Sequence, residues 1–161
     1  MRYISLVILF NLFVCKISFS QSANQGNKDS LAVANTITNF VDAFSNLKWE
    51  SFISYFADDA TAFFPPSAKT PMRAENKKEI AAIFKKVFEN AQKKDPPHIS
   101  IDPKDLKIQM LDNVAVVTFH LDDPGMLSRR TIILKKMNGK WLIVHLHASG
   151  IPKENSTSVG M

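Results

Sequence analysis

Apolar residues change their spacing once along this chain. Up to Lys94 they recur at three- and four-residue steps; beyond it they alternate. Leu31, Ala34, Ile37, Phe40, Val41 and Phe44 form one stripe behind Asp29 or Ser30 as cap, which predicts an amphipathic helix of about 16 residues. Trp49, Phe52, Ile53 and Phe56 repeat the step in a shorter second helix, ended by Asp58-Asp59. Ala60–Phe64 is a short strand stopped by Pro65-Pro66, because proline cannot donate to a ladder, and Ser67–Ala74 is a loop. Asn76 and Glu79 stand at capping-box spacing ahead of Ile80, Ile83, Phe84, Val87, Phe88 and Ala91. A third helix is therefore expected to about Lys94, where Asp95-Pro96-Pro97 breaks it.

The remainder is strand-like: His98–Ile101, Leu106–Leu111, Val114–Leu121, Arg129–Lys136 and Trp141–Ser149. Asp123-Pro124-Gly125 and Asn138-Gly139 supply hairpin turns. Helices first and consecutive strands afterwards predict an α+β domain. Its expected form is a cone-shaped curved antiparallel sheet with three N-terminal helices packed on its concave face. Such a cone leaves a pocket at its open end. The opposite face of the sheet needs cover, which a second subunit supplies.

The first residues read as an address. Arg2 precedes an apolar run from Ile4 to Val14, and Ser18-Phe19-Ser20 offers small residues before Gln21. The expected organisation is a signal peptide at 1–20, a flexible leader at 21–29, the folded domain at 30–152 and a flexible tail at 153–161. The protein is expected to be secreted or periplasmic, cleaved after Ser20. A lipid anchor at Cys15 is the alternative: Leu12 suits it, but Val14 is not the small residue it needs. The run is shorter than the roughly 20 residues that span a bilayer, so no stable membrane insertion is expected after cleavage.

Composition narrows the function classes. The 161 residues are one ordinary domain, 45% hydrophobic with 12 Phe, enough to fill a core or line an apolar cavity. A single Cys excludes an intramolecular disulfide and a multi-cysteine metal site. Cleavage after Ser20 removes that Cys, two basic residues and no acidic one, which lowers the net charge of +5 by two. The excess is mild and its Lys pairs are dispersed, so no nucleic acid is expected as a partner. Asn155-Ser156-Thr157 fits a glycosylation sequon.

The last strand alternates: Leu142, Val144, Leu146 and Ala148 fall on one face, and Trp141, Ile143, His145, His147 and Ser149 on the other. His145 and His147 project the same way, but no third ligand accompanies them, so neither metal nor cofactor is expected. Val114, Val116, Thr118 and His120 share a face of their strand, as do Arg129 and Thr131; a one-residue slip would exchange Arg129 for Arg130. No Ser-His-Asp or Cys-His arrangement stands out.

The stretch Gly139-Lys140-Trp141-Leu142-Ile143-Val144-His145-Leu146-His147-Ala148-Ser149-Gly150-Ile151-Pro152 resembles the last strand of the association (hub) domain of calcium/calmodulin-dependent protein kinase II. Phe56-Ala57-Asp58-Asp59-Ala60-Thr61-Ala62-Phe63-Phe64-Pro65 resembles the helix-to-strand corner of SnoaL-like proteins. Both lie within the nuclear transport factor 2-like superfamily. The resemblance implies the cone fold and a homodimer or larger ring. It implies a ligand pocket drawn from His120, Arg129, Thr131, Phe40, Tyr55, Phe64, Val144, Leu146 and Ala148. It implies an oligomer interface drawn from Trp141, Ile143, His145, His147 and Ser149. The superfamily includes ketosteroid isomerases, whose tyrosine donor, general base and second oxyanion acid correspond here to Phe40, Phe64 and Thr131. A phenyl ring neither abstracts a proton nor donates to an enolate oxygen. The expectation is thus an exported small-ligand-binding or assembly domain without catalysis, its ligand small and hydrophobic or a carboxylate. An isomerase-, cyclase- or hydratase-type enzyme acting on a hydrophobic carbonyl compound and a pure oligomerisation module are the alternatives.

Overall fold

The computed structural model describes residues 26–65, 73–93, 95–123 and 125–153. The expected signal peptide, Cys15 and the sequon lie outside them. Helix α1 occupies residues 26–45, α2 is Trp49–Ser54 and β1 is Phe56–Phe63. Helix α3 is Lys77–Ala91, followed by β2 (Lys104–Leu111), β3 (Val114–Asp123), β4 (Met126–Met137) and β5 (Lys140–Pro152). The strands form one sheet in the order β1-β5-β4-β3-β2. Strands β2 to β5 run antiparallel as a meander, and β1 joins β5 in parallel, so the sheet is mixed at one edge. It is curved and unclosed, with the helices against it, as the cone requires.

The first helix begins earlier than its apolar stripe. It is already formed at residue 26, so Asp29 and Ser30 lie within it rather than capping it, and the expected leader is in part helical. Asp29 instead pairs with Lys136 of β4 and ties the helix to the sheet. Val33, Ile37, Phe40 and Ala43 face the core, while Leu31 is 63% exposed. The helix ends in a Schellman turn, in which Lys48 N–H donates to Ala43 C=O at 2.8 Å and Leu47 takes φ +54°. The capping box holds: Glu79 N–H donates to Asn76 Oδ1 at 3.0 Å, and the Asn76 side chain donates back to Glu79.

Two expected elements differ. The second helix stops at Ser54, and Phe56 opens β1, so Asp58-Asp59 lies inside the strand with both residues exposed. Phe56 continues the helical spacing, yet its backbone belongs to the edge of the sheet. His98–Ile101 forms no strand. Ile99 N–H donates to Ser45 C=O at 3.2 Å there. The Asn138-Gly139 turn has φ of +50° and +78°, the doubly left-handed geometry that a two-residue hairpin favours.

The core lies between helices and sheet and is built on phenyl rings. Phe52 is fully buried, stacked on Phe40 at 5.1 Å and edge-on to Phe84 at 4.8 Å. On the sheet side Ala115, Val117, Phe119, Ile132, Leu134 and Leu146 complete it.

The last strand does not keep one alternation. Ile133 pairs with His145 and Leu134 with Ile143, which leaves Val144 without a partner in a β-bulge. The extra residue inverts the side-chain parity. Trp141 and Ile143 therefore face the core together with Leu146 and Ala148, and they are buried within the subunit rather than placed on the outer face. Trp141 lies beneath the Lys136 ammonium, 6.0 Å from its ring centroid.

Candidate ligand-binding cavity

A cavity of about 190 Å³ lies between the helices and the inner face of the sheet. Helix α1 contributes Phe40, Val41 and Phe44, α2 contributes Phe52, and α3 contributes Phe84 and Val87. Phe64 and Pro65 close it after β1, and Ile101 before β2. The sheet supplies Phe119, Leu121, Arg130, Ile132, Leu146 and Ala148. Val87 is among these residues and stays exposed, so the cavity reaches solvent beside α3.

Arg130 is the one charged side chain in this described lining, which holds no carboxylate, imidazole or phenol. Its Nη1 donates to Arg129 C=O at 2.9 Å and to Ser149 C=O at 3.4 Å, contacts that hold the head near the strand backbone. In register, Arg130 lies between Phe119 of β3 and Ala148 of β5. The methyl of Ala148 leaves room on one side of the arginine; Phe119 supplies an aromatic wall on the other.

Of the expected pocket residues, the structure gathers Phe40, Phe64, Leu146 and Ala148 around the cavity. Tyr55 is one layer behind, edge-on to Phe40 at 6.0 Å. Val144 is the bulge residue and does not line the cavity. His120, Arg129 and Thr131 are on the outer face of the sheet, because the inward sets of β3 and β4 are Ala115, Val117, Phe119, Leu121 and Arg130, Ile132, Leu134. The inward arginine is Arg130. His120 meets Asp105, with Nδ1 3.4 Å from Oδ2; Asp105 takes φ +51° at a break in the β2 register. Thr131, expected by resemblance at the position of an isomerase's second acid, therefore does not reach the cavity.

The outer face is a different surface. Thr61 pairs in register with His145, and Phe63 with His147. Thr61 Oγ1 is 2.8 Å from His145 Nδ1, and the Phe63 ring lies edge-on to both imidazoles at 5.6 and 5.8 Å. Burial, helped by the neighbouring His147 and Arg73, holds His145 below the usual histidine pKa. Ser149 shares this face in register with Arg129. Among the described residues no three His, Cys, Asp or Glu side chains gather as a metal site, and no helix is long and apolar enough to cross a membrane.

Residues 33–154 match the model of the SnoaL-like domain. The chain belongs to the SnoaL-like domain family. Solved structures share the fold of this SnoaL-like domain. A candidate dehydratase of the nuclear transport factor 2-like family from Streptomyces avermitilis is 18% identical, with a TM-score of 0.67, over 80% of this chain and 99% of that one. A candidate ketosteroid isomerase from Parabacteroides distasonis is 21% identical, TM-score 0.55, over 71% and 84%. A candidate calcium/calmodulin-dependent protein kinase II association domain from Xanthomonas campestris is 21% identical, TM-score 0.53, over 75% and 86%. At these identities the likeness is one of fold. No curated protein matches the chain.

The expected pocket set omitted Arg130, Phe44, Phe84, Phe119 and Leu121. Phe44 and Phe84 belong to the helical stripes already visible in the sequence. For β3 the signal was also present: Ala115, Val117, Phe119 and Leu121 are all apolar, whereas the alternate set carries Thr118 and His120.

Proposed function

We propose that this SnoaL-like domain is an exported small-ligand-binding protein that works without acid–base catalysis. The observation that carries the reading is an apolar cavity whose described lining offers one cation and no group able to take or give a proton near neutral pH. The fold also hosts proteins named as isomerase and dehydratase, and one fold serves many chemistries, so the lining decides rather than the fold. A panel of small apolar and carboxylate compounds in a thermal-shift assay tests it: a ligand of the native state raises the melting temperature by mass action. Turnover of a carbonyl substrate that is lost on filling the cavity through Ala148→Phe would refute it.

Assembly through the outer face of the sheet is part of the same reading. Its support is the half-exposed band of Thr61, Phe63, Ile133, His145 and His147, together with the association domain among the proteins of like fold. Light scattering after gel filtration should give a dimer or larger ring, and Phe63→Glu should shift it to monomer. A wild-type monomer at high concentration would remove this part.

A further inference from the structure

The cavity's size and the one cation of its described lining narrow the ligand class further, on the basis of the binding reading above. A volume of about 190 Å³ is close to the roughly 150 Å³ cavity known to hold one benzene ring. It is below the roughly 300–1,000 Å³ of pockets that take drug-sized molecules, so a four-ring steroid or a polycyclic polyketide would overfill it. Phenyl groups of Phe40, Phe44, Phe52, Phe64, Phe84 and Phe119 enclose the space. They already meet one another at edge-to-face angles, such as Phe44 on Phe84 at 83° and Phe64 on Phe84 at 68°. A guest ring can extend that pattern and gain quadrupole attraction from several sides, which an alkyl chain of equal size does not.

At the strand wall the chemistry changes. Arg130 projects from the inner face between Phe119 and the small Ala148. Its guanidinium stays cationic at any working pH, and the planar fork matches a carboxylate. Where the described lining is otherwise hydrocarbon, an anion is favoured there over a neutral group of the same shape.

We infer that the cavity takes a monocyclic aromatic carboxylate, with its ring among the phenylalanines and its carboxylate toward Arg130 beside Ala148. No bond is made or broken. The site selects by size, by aromaticity and by one negative charge at one end. Ala148 is the specificity position, because any larger side chain there occupies the space alongside the guanidinium.

Benzoate is the probe, with benzamide, benzyl alcohol, butyrate and a steroid as comparators, titrated by calorimetry against the full chain and its Arg130→Met, Arg129→Met and Ala148→Leu variants. Each variant is first checked for native circular dichroism. Benzoate should bind about tenfold or more tightly than benzamide and than butyrate, and the steroid should not bind. Arg130→Met should lose the preference for benzoate over benzamide and keep benzyl alcohol. Arg129→Met, altered on the outer face, should behave as wild type. Ala148→Leu should weaken benzoate. Benzyl alcohol binding with no preference for benzoate would overturn the carboxylate assignment while leaving the cavity a ligand site. Equal loss in Arg129→Met, or tight steroid binding, would overturn the placement of the carboxylate beside Arg130 in a one-ring cavity. Binding of no probe at all, by a protein whose fold is intact, would defeat the broader binding proposal as well.

Discussion

Replacing Phe52 by alanine tests whether the phenyl cluster holds helices and sheet together. Phe52 is fully buried and meets the rings of Phe40, Phe44, Phe56, Phe84 and Phe88 at centroid distances of 4.8 to 5.6 Å. The deletion withdraws a ring's worth of transfer free energy, about 2 kcal/mol. It also leaves a void of roughly 100 Å³, which at about 24 cal/mol per Å³ is worth a further ~2.4 kcal/mol if the surroundings stay in place. They have reason to stay, since the rings brace one another edge to face and the void merges with the existing cavity. The expected loss is thus about 4 kcal/mol, a large share of the roughly 5–15 kcal/mol that stabilises a domain. Urea unfolding followed by tryptophan fluorescence reports it well, because Trp49 is 6.3 Å from Phe52 and Trp141 is buried in the same core. Leu31→Ala, at a residue 63% exposed on α1, should cost less than about 1 kcal/mol in the same assay. A loss in Phe52→Ala below about 1.5 kcal/mol, or below that of Leu31→Ala, would refute the account of the core.

Three further outcomes are expected. His145 binds a proton less readily when folded than when unfolded, so its contribution to stability is complete above the ordinary histidine pKa and is lost as pH falls below it; His145→Gln should flatten the decline in urea midpoint between about pH 7.5 and 5, and an unchanged decline would count against the burial of this ring. Gly139→Ala should destabilise by about 1–2 kcal/mol through the backbone alone, since φ is +78° and a Cβ would meet no atom within 4 Å; a neutral effect by urea unfolding would contradict the turn geometry. Asn76→Ala should lower stability by about 1 kcal/mol with Asn76→Ser near neutral, and equal losses in the two would show that the cap does not depend on the accepting oxygen.

Local chemistry was readable from the chain because it acts over a few residues. The Asn76–Glu79 box, the Asn138-Gly139 hairpin and the strand identities of β2 to β5 all rest on turn geometry or period, and all are present. The errors fall where tertiary pairing overrides spacing. Phe52 and Phe56 stand one helical turn apart, yet Ile143 N–H donates to Tyr55 C=O at 2.8 Å and draws the next residue into the sheet. His98–Ile101 has strand-like residues but no neighbouring ladder to join. The parallel β1–β5 pair joins residues more than 80 positions apart, and no local signal encodes it.

Which face of each strand looks inward decided the site, and there the sequence was only partly legible. For β4 a count of apolar residues does not decide, since Met126, Ile132 and Leu134 accompany Arg130 while Leu127, Ile133 and Met137 accompany Arg129. Placing Arg129 inward by likeness to other proteins put the cation on the wrong side of the sheet. In β5 no count could succeed, because the bulge at Val144 changes parity partway along the strand. A strand without that extra residue would turn either Trp141 and Ile143 or Leu146 and Ala148 away from the core. The bulge lets both pairs point inward, and it thereby turns His145 and His147 outward together beside Thr61 and Phe63. One unpaired residue thus keeps imidazoles out of the cavity and leaves Ala148 next to Arg130. The cavity's lack of an acid–base pair in its described lining follows from backbone register as much as from residue identity.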